Sequence, residues 1–266
     1  MPEERVACGY NGVANEFFAT PKNSGRQNGQ EFLDFRFQFS EGLGKAARPY
    51  FLASNRFVER KNLGRLLEGY KNFQDSVLRI QGVEKTSVWP LVLLGDGELR
   101  GDLEARCAEL GLKIARAFPH EGEGSTEGQN LKLNSYKLKT PPDGGCVVFA
   151  GFRQIGELPS FYAGAGAFVH PALEEPWGLV INEAMASGLP VLSSRNVGAA
   201  EELVVEGKTG LFFDPRSSES IGQCLFKMFS LSEEQRSLMG AAARELVERK
   251  APVRAFGEGL AKLLGI

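Results

Sequence analysis

The sequence predicts an α/β protein built on a doubly wound parallel sheet, and three observations carry that prediction. Short continuous apolar runs recur at "YFLAS" (50–54), "PLVLLG" (90–95), "CVVFAG" (146–151), "AFVHP" (167–171), "PVLSS" (190–194) and "GLFFD" (210–214). Such runs suit strands covered on both faces. Helical patterns lie between most of them, and parallel strands need crossovers of that kind. The composition agrees: 266 residues, 42% hydrophobic and 24% charged, are enough for one substantial core or two small ones.

The elements follow in order. "NLGRLLEGYKNF" sets Leu63, Leu66, Leu67, Tyr70 and Phe73 at helical spacing, with Asn62 placed to act as N-cap. "DLEARCAELGL" does the same with Leu103, Cys107 and Leu110, and Gly111 can end that helix. The chain from Glu219 onward reads as mostly helical. Two stretches depart from the rhythm. Residues 20–48 mix Gly, Asn and Gln with isolated Phe and read as an irregular connector. Residues 117–145 are polar and too long for an ordinary connection, so they are expected to form a flexible insertion or a small functional loop.

Charge and cysteine usage narrow the function classes. A net charge of −2 and a pI near 5.9 leave no basic excess for nucleic acid or an anionic membrane, so any anion site must be local. Cys8, Cys107, Cys146 and Cys224 lack paired spacing and read as reduced core thiols. With two histidines, His120 and His170, no metal-ligand spacing is visible and no metal residue is assigned. No apolar stretch reaches bilayer length and "MPEERVACGY" lacks a secretory core; the cytosol, or the cytosolic face of a membrane, is the expected location.

Ligands of open parallel sheets bind beyond the carboxyl ends of the strands, which directs attention to the loops there. After the first strand, Arg56 and Lys61 flank the approach to a helix and read as a phosphate clamp or as solvated surface charges. After the second, Gly95 and Gly97 permit a tight turn or a close ligand approach. The loop after "CVVFAG" offers Phe152, Arg153 and Leu158 as a flat pocket for a base, although Leu158, Phe161 and Tyr162 equally suit the core. In "EEPWGLVINEAMASGLPV", Glu175 stands in a loop, Gly178 opens a helix, and Glu183 lies about one and a half turns inside it, roughly 7 to 8 Å along the axis. That distance matches the middle of a nucleotide sugar. The N–H groups of Gly178, Leu179 and Val180 would meet a diphosphate, and each acid could hold hydroxyls on its own side. Alternatively Glu175 only complements the helix dipole and Glu183 is exposed, but the small apolar residues after Glu183 suggest a packed helix whose acid needs a partner. His170, beside the same loop, reads as structural or functional.

"HPALEEPWGLVINEAMASGLPVLSSRNVGAAEELVVEGKTGLFFDP" resembles the signature region of family 4 retaining glycosyltransferases of the GT-B fold, with the glutamate, seven residues, glutamate motif at Glu175 to Glu183. "SNRFVERKNL", "LLGDGELR" and "VVFAGFRQIGELPSFYA" extend the likeness across about residues 50 to 250 in the same order. The resemblance implies a Rossmann-like nucleotide-sugar donor domain over 49–266, preceded by an interdomain connector remnant over 1–48. It implies that Arg56 and Lys61 bind the donor diphosphate and that Glu175 contacts the transferred sugar as the catalytic residue. It further implies that Gly178, Leu179 and Val180 offer backbone N–H groups, that Glu183 holds the ribose, and that Gly95, Phe152 and Arg153 border the nucleotide. Glu201, three residues after Gly198, marks a further loop. The donor would be a UDP-, GDP- or ADP-sugar, no other cofactor or divalent metal would be needed, and transfer would retain the anomeric configuration, the leaving phosphate taking the acceptor's proton. The acceptor, a glycan, lipid or small molecule, would be held by an N-terminal domain or separate subunit. A stand-alone nucleotide-sugar binding module without transfer activity is the alternative. Trp177 stands where the family commonly has a smaller aromatic.

Overall fold

In the computed structural model, residues 49–82, 87–118, 137–138 and 145–251 are described. The residues 1–48 connector, Cys8, His120 and most of the 117–145 insertion lie outside them.

Among the described residues, eight strands form one sheet. They are β1 (Phe51–Ser54), β2 (Leu91–Leu94), β3 (Lys113–Phe118), β4 (Lys137–Leu138), β5 (Cys146–Gly151), β6 (Ala167–His170), β7 (Val191–Ser193) and β8 (Gly210–Phe212). Their order is β4-β3-β5-β2-β1-β6-β7-β8, and every pairing is parallel except the two-residue β4 against β3. All six apolar runs are strands, as expected. β3 was not expected. "KIARAF" carries Lys113 and Arg116 and shows no continuous apolar run, because it lies on the outer side of β5, where Lys113 is exposed. Ala117 and Phe118 therefore belong to a strand rather than to the insertion.

Strand periodicity explains the two cores. Leu52, Val92, Val148 and Phe168 share one apolar cluster, while Phe51, Ala53, Leu91, Leu93, Val147, Phe149 and Val169 share the other, as alternating side chains must. The first cluster is covered by α3 (Leu158–Gly164), α4 (Leu179–Ala186), α5 (Gly198–Leu203) and α7 (Glu233–Lys250). The second is covered by α1 (Leu63–Leu78), α2 (Arg100–Glu109) and α6 (Ser218–Ser230). The cysteines of the described residues are free and buried, with burial pushing Cys107 and Cys224 up to about 12 and Cys146 to about 11. They are core thiols, as their spacing implied.

Helix ends show one agreement and one correction. Gly111, at φ 66°, ends α2, and Leu112 N–H returns to Cys107 O at 2.8 Å. Asn62 occupies the N-cap position of α1 but does not cap it with its side chain. At φ 56° its amide is turned away from the helix and donates instead to Pro171 O at 3.0 Å and Pro215 O at 2.7 Å. It ties three strand-end loops together.

Among the described residues no helix is long and apolar enough to cross a membrane, and no group of three or more His, Cys, Asp or Glu is arranged to hold a metal ion.

Candidate functional site

β1 has β2 on one side and β6 on the other, and the chain winds outward in opposite directions from that pair. It is the topological switch point of the sheet, where the loops splay apart and leave a crevice. Two loops face each other across it. One follows β1 and contains a single 3-10 turn, Glu59–Lys61; the other runs from Pro171 to Gly178. Leu173 N–H bonds to Arg60 O at 3.0 Å and the Asn62 side-chain amide donates to Pro171 O, so the loops are joined by one backbone and one side-chain hydrogen bond.

Their side chains meet at Glu175. Arg60 Nη1 donates to Glu175 Oε2 at 2.6 Å, and Lys61 Nζ donates to the same oxygen. Lys61 and Glu175 keep only 11% and 12% of their side-chain surface exposed, while Arg60 keeps 55%, so the cluster is sealed beneath and open above. Lys61 is thus not a solvated surface charge. The loop is held in place from the other side by α5: Glu175 N–H bonds to Asn196 O at 3.1 Å, Gly198 N–H to Glu175 O at 3.1 Å, and Ala199 N–H to Trp177 O at 2.9 Å.

Gly178 makes the turn from this loop into α4 at φ 92°, a conformation that strains any residue with a Cβ. A Cβ there would also lie 3.0 Å from Val197 Cγ1 and 3.3 Å from Glu175 Cγ. Leu179 is half-exposed, and the N–H groups of Leu179 and Val180 precede the first intrahelical bond of α4, whereas Ile181 N–H already turns back to Gly178 O at 2.9 Å. Beneath Gly178 lies His170, fully buried and stacked on Phe168 with ring centroids 6.4 Å apart. Burial, assisted by the neighbouring positive charges of Lys61 and Arg60, pushes its pKa down to about 3, so the imidazole is neutral. Neither ring nitrogen has a hydrogen-bond partner among the described residues.

Glu183 sits deeper along α4, among Ala184, Met185 and Ala186, which are fully buried. Its partner is Tyr162 of α3, whose hydroxyl donates to Glu183 Oε2 at 2.8 Å. Burial raises the Glu183 carboxyl above its usual range, and the tyrosine hydrogen bond opposes part of that rise. Asn182, fully buried, accepts from Trp177 Nε1 at 3.1 Å, which fixes the loop tryptophan to the helix.

A cavity of about 420 Å³ opens on the β2 and β5 side of the same crevice, bordered by Arg56, Gly95, Phe152, Arg153, Leu158 and Val180. Arg56 is exposed at its edge. Phe152 is 68% exposed, whereas the Arg153 side chain is largely buried, its guanidinium 5.7 Å from the Phe161 ring centre and 3.7 Å from Glu157 Oε1. Gly95 belongs here for steric reasons. Its φ is 126°, and a Cβ would fall 2.0 Å from Asn55 O. Of the three residues that suited the core, Phe161 and Tyr162 are buried, while Leu158 packs against the core and also borders the cavity.

The structure therefore gathers Lys61, Glu175 and Gly178 in one cluster, and Arg56, Gly95, Phe152, Arg153 and Val180 around the adjoining cavity. Arg56 and Lys61 are separated: one borders the cavity, the other holds Glu175. Glu201, on α5, is exposed. Sequence reasoning missed Arg60, although it sits in the same basic run "RFVERK". Tyr162 it counted only as a core candidate, because nothing in one dimension shows that its hydroxyl reaches residue 183.

The glycosyl transferases group 1 family model matches residues 122–246. The sulfoquinovosyl transferase of Arabidopsis thaliana is 41% identical over 108 residues, covering 39% of this chain and 20% of that protein. The chain spans about a fifth of this relative's length. An Anabaena protein solved in complex with UDP and glucose superposes with a TM-score of 0.67 at 19% identity, over 97% of this chain and 56% of that one. The C-terminal domain of a glycosyl transferase group 1 protein from Francisella tularensis gives 0.59 at 20% identity, covering 91% of this chain and all of that domain. The doubly wound sheet is thus the fold of known glycosyltransferases. Glu175, Gly178 and Glu183 all lie inside the segment, residues 122–246, that is similar to the glycosyl transferases group 1 family.

Proposed function

We propose that this chain is the donor-binding half of a retaining glycosyltransferase. It binds a nucleoside diphosphate sugar across the crevice between the loops of β1 and β6. The observation that supports this most is the arrangement around Glu175: a nearly buried carboxylate, two cations on one of its oxygens, and a helix start at Gly178 beside it. Cations next to unpaired helix N–H groups suit a diphosphate. Glu175 Oε1, on the other side of the carboxylate, is available to accept from a sugar hydroxyl. The family match and the UDP and glucose bound to the Anabaena protein agree with that choice of ligand.

In this reading Arg56 and Lys61 hold the diphosphate, helped by the N–H groups of Gly178, Leu179 and Val180. Glu175 orients the transferred sugar. Glu183, with Tyr162 occupying one of its oxygens, offers the other to the ribose. Gly95, Phe152 and Arg153 border the base, which makes the donor a UDP-, GDP- or ADP-sugar. During transfer the bond from the anomeric carbon to phosphate oxygen breaks, the acceptor oxygen bonds to the same face, and the acceptor proton passes to the departing phosphate. Phosphate charge is offset by side-chain cations and helix N–H groups, with no metal ion assigned a role. The acceptor is held by an N-terminal domain or a separate subunit.

Calorimetry of the full chain with UDP-, GDP- and ADP-glucose tests the reading. Binding of one of them in preference to the others is expected. Failure of all three, and of the parent diphosphates, would remove its basis.

A further inference from the structure

Glu175 occupies Lys61, a cation that a diphosphate would use, together with the neighbouring Arg60. Arg60 and Lys61 both donate to the single oxygen Oε2, and the Lys61 ammonium, 11% exposed, has little room to serve two anions at once. Two positive charges and one negative charge share this corner. Beneath them His170 is neutral and adds no charge. An incoming diphosphate must therefore displace a carboxylate from Lys61 and then remain beside it, like charge against like charge. A ligand that also carries a sugar changes the balance, because its hydroxyls donate hydrogen bonds to the carboxylate it displaces. A bare nucleoside diphosphate has no such group to offer at that position.

We infer that Glu175 acts as a discriminator between the intact donor and its spent nucleoside diphosphate. It competes for Lys61 and Arg60 when no sugar is present, so that the product binds weakly and leaves. This rests on the donor reading above and assigns Glu175 a task separate from contact with the reacting sugar. The consequence is opposite to the usual effect of deleting a binding residue. Neutralising Glu175 frees two cations and removes a repulsion, so affinity for a bare diphosphate rises, while affinity for the nucleotide sugar does not rise with it.

The test is calorimetric titration of the full chain, wild type, Glu175→Gln, Lys61→Ala and the double variant, with UDP, GDP, ADP, inorganic pyrophosphate and the matching nucleotide glucoses. Glu175→Gln keeps the shape of the side chain, and its thermal midpoint reports that the chain is folded. Glu175→Gln is expected to tighten the preferred nucleoside diphosphate and pyrophosphate by about five- to tenfold, roughly 1 to 1.4 kcal/mol, and to leave the nucleotide sugar unchanged or weaker. Glu175→Asp should restore the wild-type preference. In the double variant the gain should disappear, because the freed lysine is what produces it. Unchanged or weaker diphosphate binding in a folded Glu175→Gln would overturn the inference, as would equal tightening of diphosphate and nucleotide sugar. The donor reading fails separately: Lys61→Ala would then leave every affinity where the wild type has it.

Discussion

The two ends of α4 handle a carboxylate in opposite ways. At its start Glu175 is held by two cations on a loop, with one face towards the crevice. One and a half turns further in, Glu183 is met by the hydroxyl of a fully buried tyrosine. Paired with two cations at the mouth of the crevice, the first acid is placed to exchange partners. Burial makes the charged form of the second costly and fixes its direction. The difference teaches that one motif of two glutamates supplies two physical roles, an exchangeable contact and a rigid one. It follows that substitutions at the loop end should register chiefly in diphosphate affinity, and those at the inner end in stability and in the ribose contact.

The largest effect expected at the loop end is on binding. Lys61→Ala or Arg56→Ala should weaken nucleoside diphosphate binding by about 1.5 to 3 kcal/mol each, as for hydrogen bonds to charged groups. Calorimetric affinities equal to wild type would break the assignment of this end to phosphate. Gly178→Ala joins the two ends, since it strains φ and crowds both Val197 and Glu175. A loss of about 1 to 3 kcal/mol in unfolding free energy is expected, read from urea denaturation, together with a loss of diphosphate affinity. Stability without that affinity loss would show that the Glu175 loop tolerates displacement.

Tyr162→Phe removes a buried donor and should cost about 1 kcal/mol of stability, with diphosphate affinity nearly unchanged. The smallest effect is a pH dependence. Burial raises the Glu183 carboxyl in the folded state, so its stabilising contribution is complete below the unfolded pKa and is lost as pH rises through the folded one. Glu183→Gln stays neutral. Its thermal midpoint should gain on wild type as pH increases above the ordinary carboxylate range, measured by calorimetry between about pH 4 and 8. Parallel curves for the two proteins would mean that Glu183 is charged without penalty and that the contrast between the ends is smaller than the burial implies.

Much of this arrangement is legible in one dimension. Continuous apolar runs marked six strands because both faces of a parallel sheet are dry. The glycine at 178 and the glycine and proline at 188 and 190 bracket α4 because they cannot continue a helix easily. β3 escaped notice because an outer strand with a solvated lysine does not need a continuous apolar run. Asn62 was expected to cap a helix, but its side chain answered the orphan carbonyls of two distant loops instead, and such demands appear only when strand ends are brought side by side.

The sequence by itself determined the α/β layering, the buried state of Cys107, Cys146 and Cys224, and the spacing of Glu175 and Glu183 along one loop and helix. These depend on local period and composition, which a chain carries without knowing its neighbours. Only the tertiary structure decided that Lys61 and Arg60 share an oxygen of Glu175, that Arg56 stands apart at a cavity, that Tyr162 answers Glu183, and that His170 is buried neutral beneath Gly178. The partners of these groups are supplied by other strands and helices, and sheet order, not sequence distance, places residues 60 and 175 within reach of one hydrogen bond.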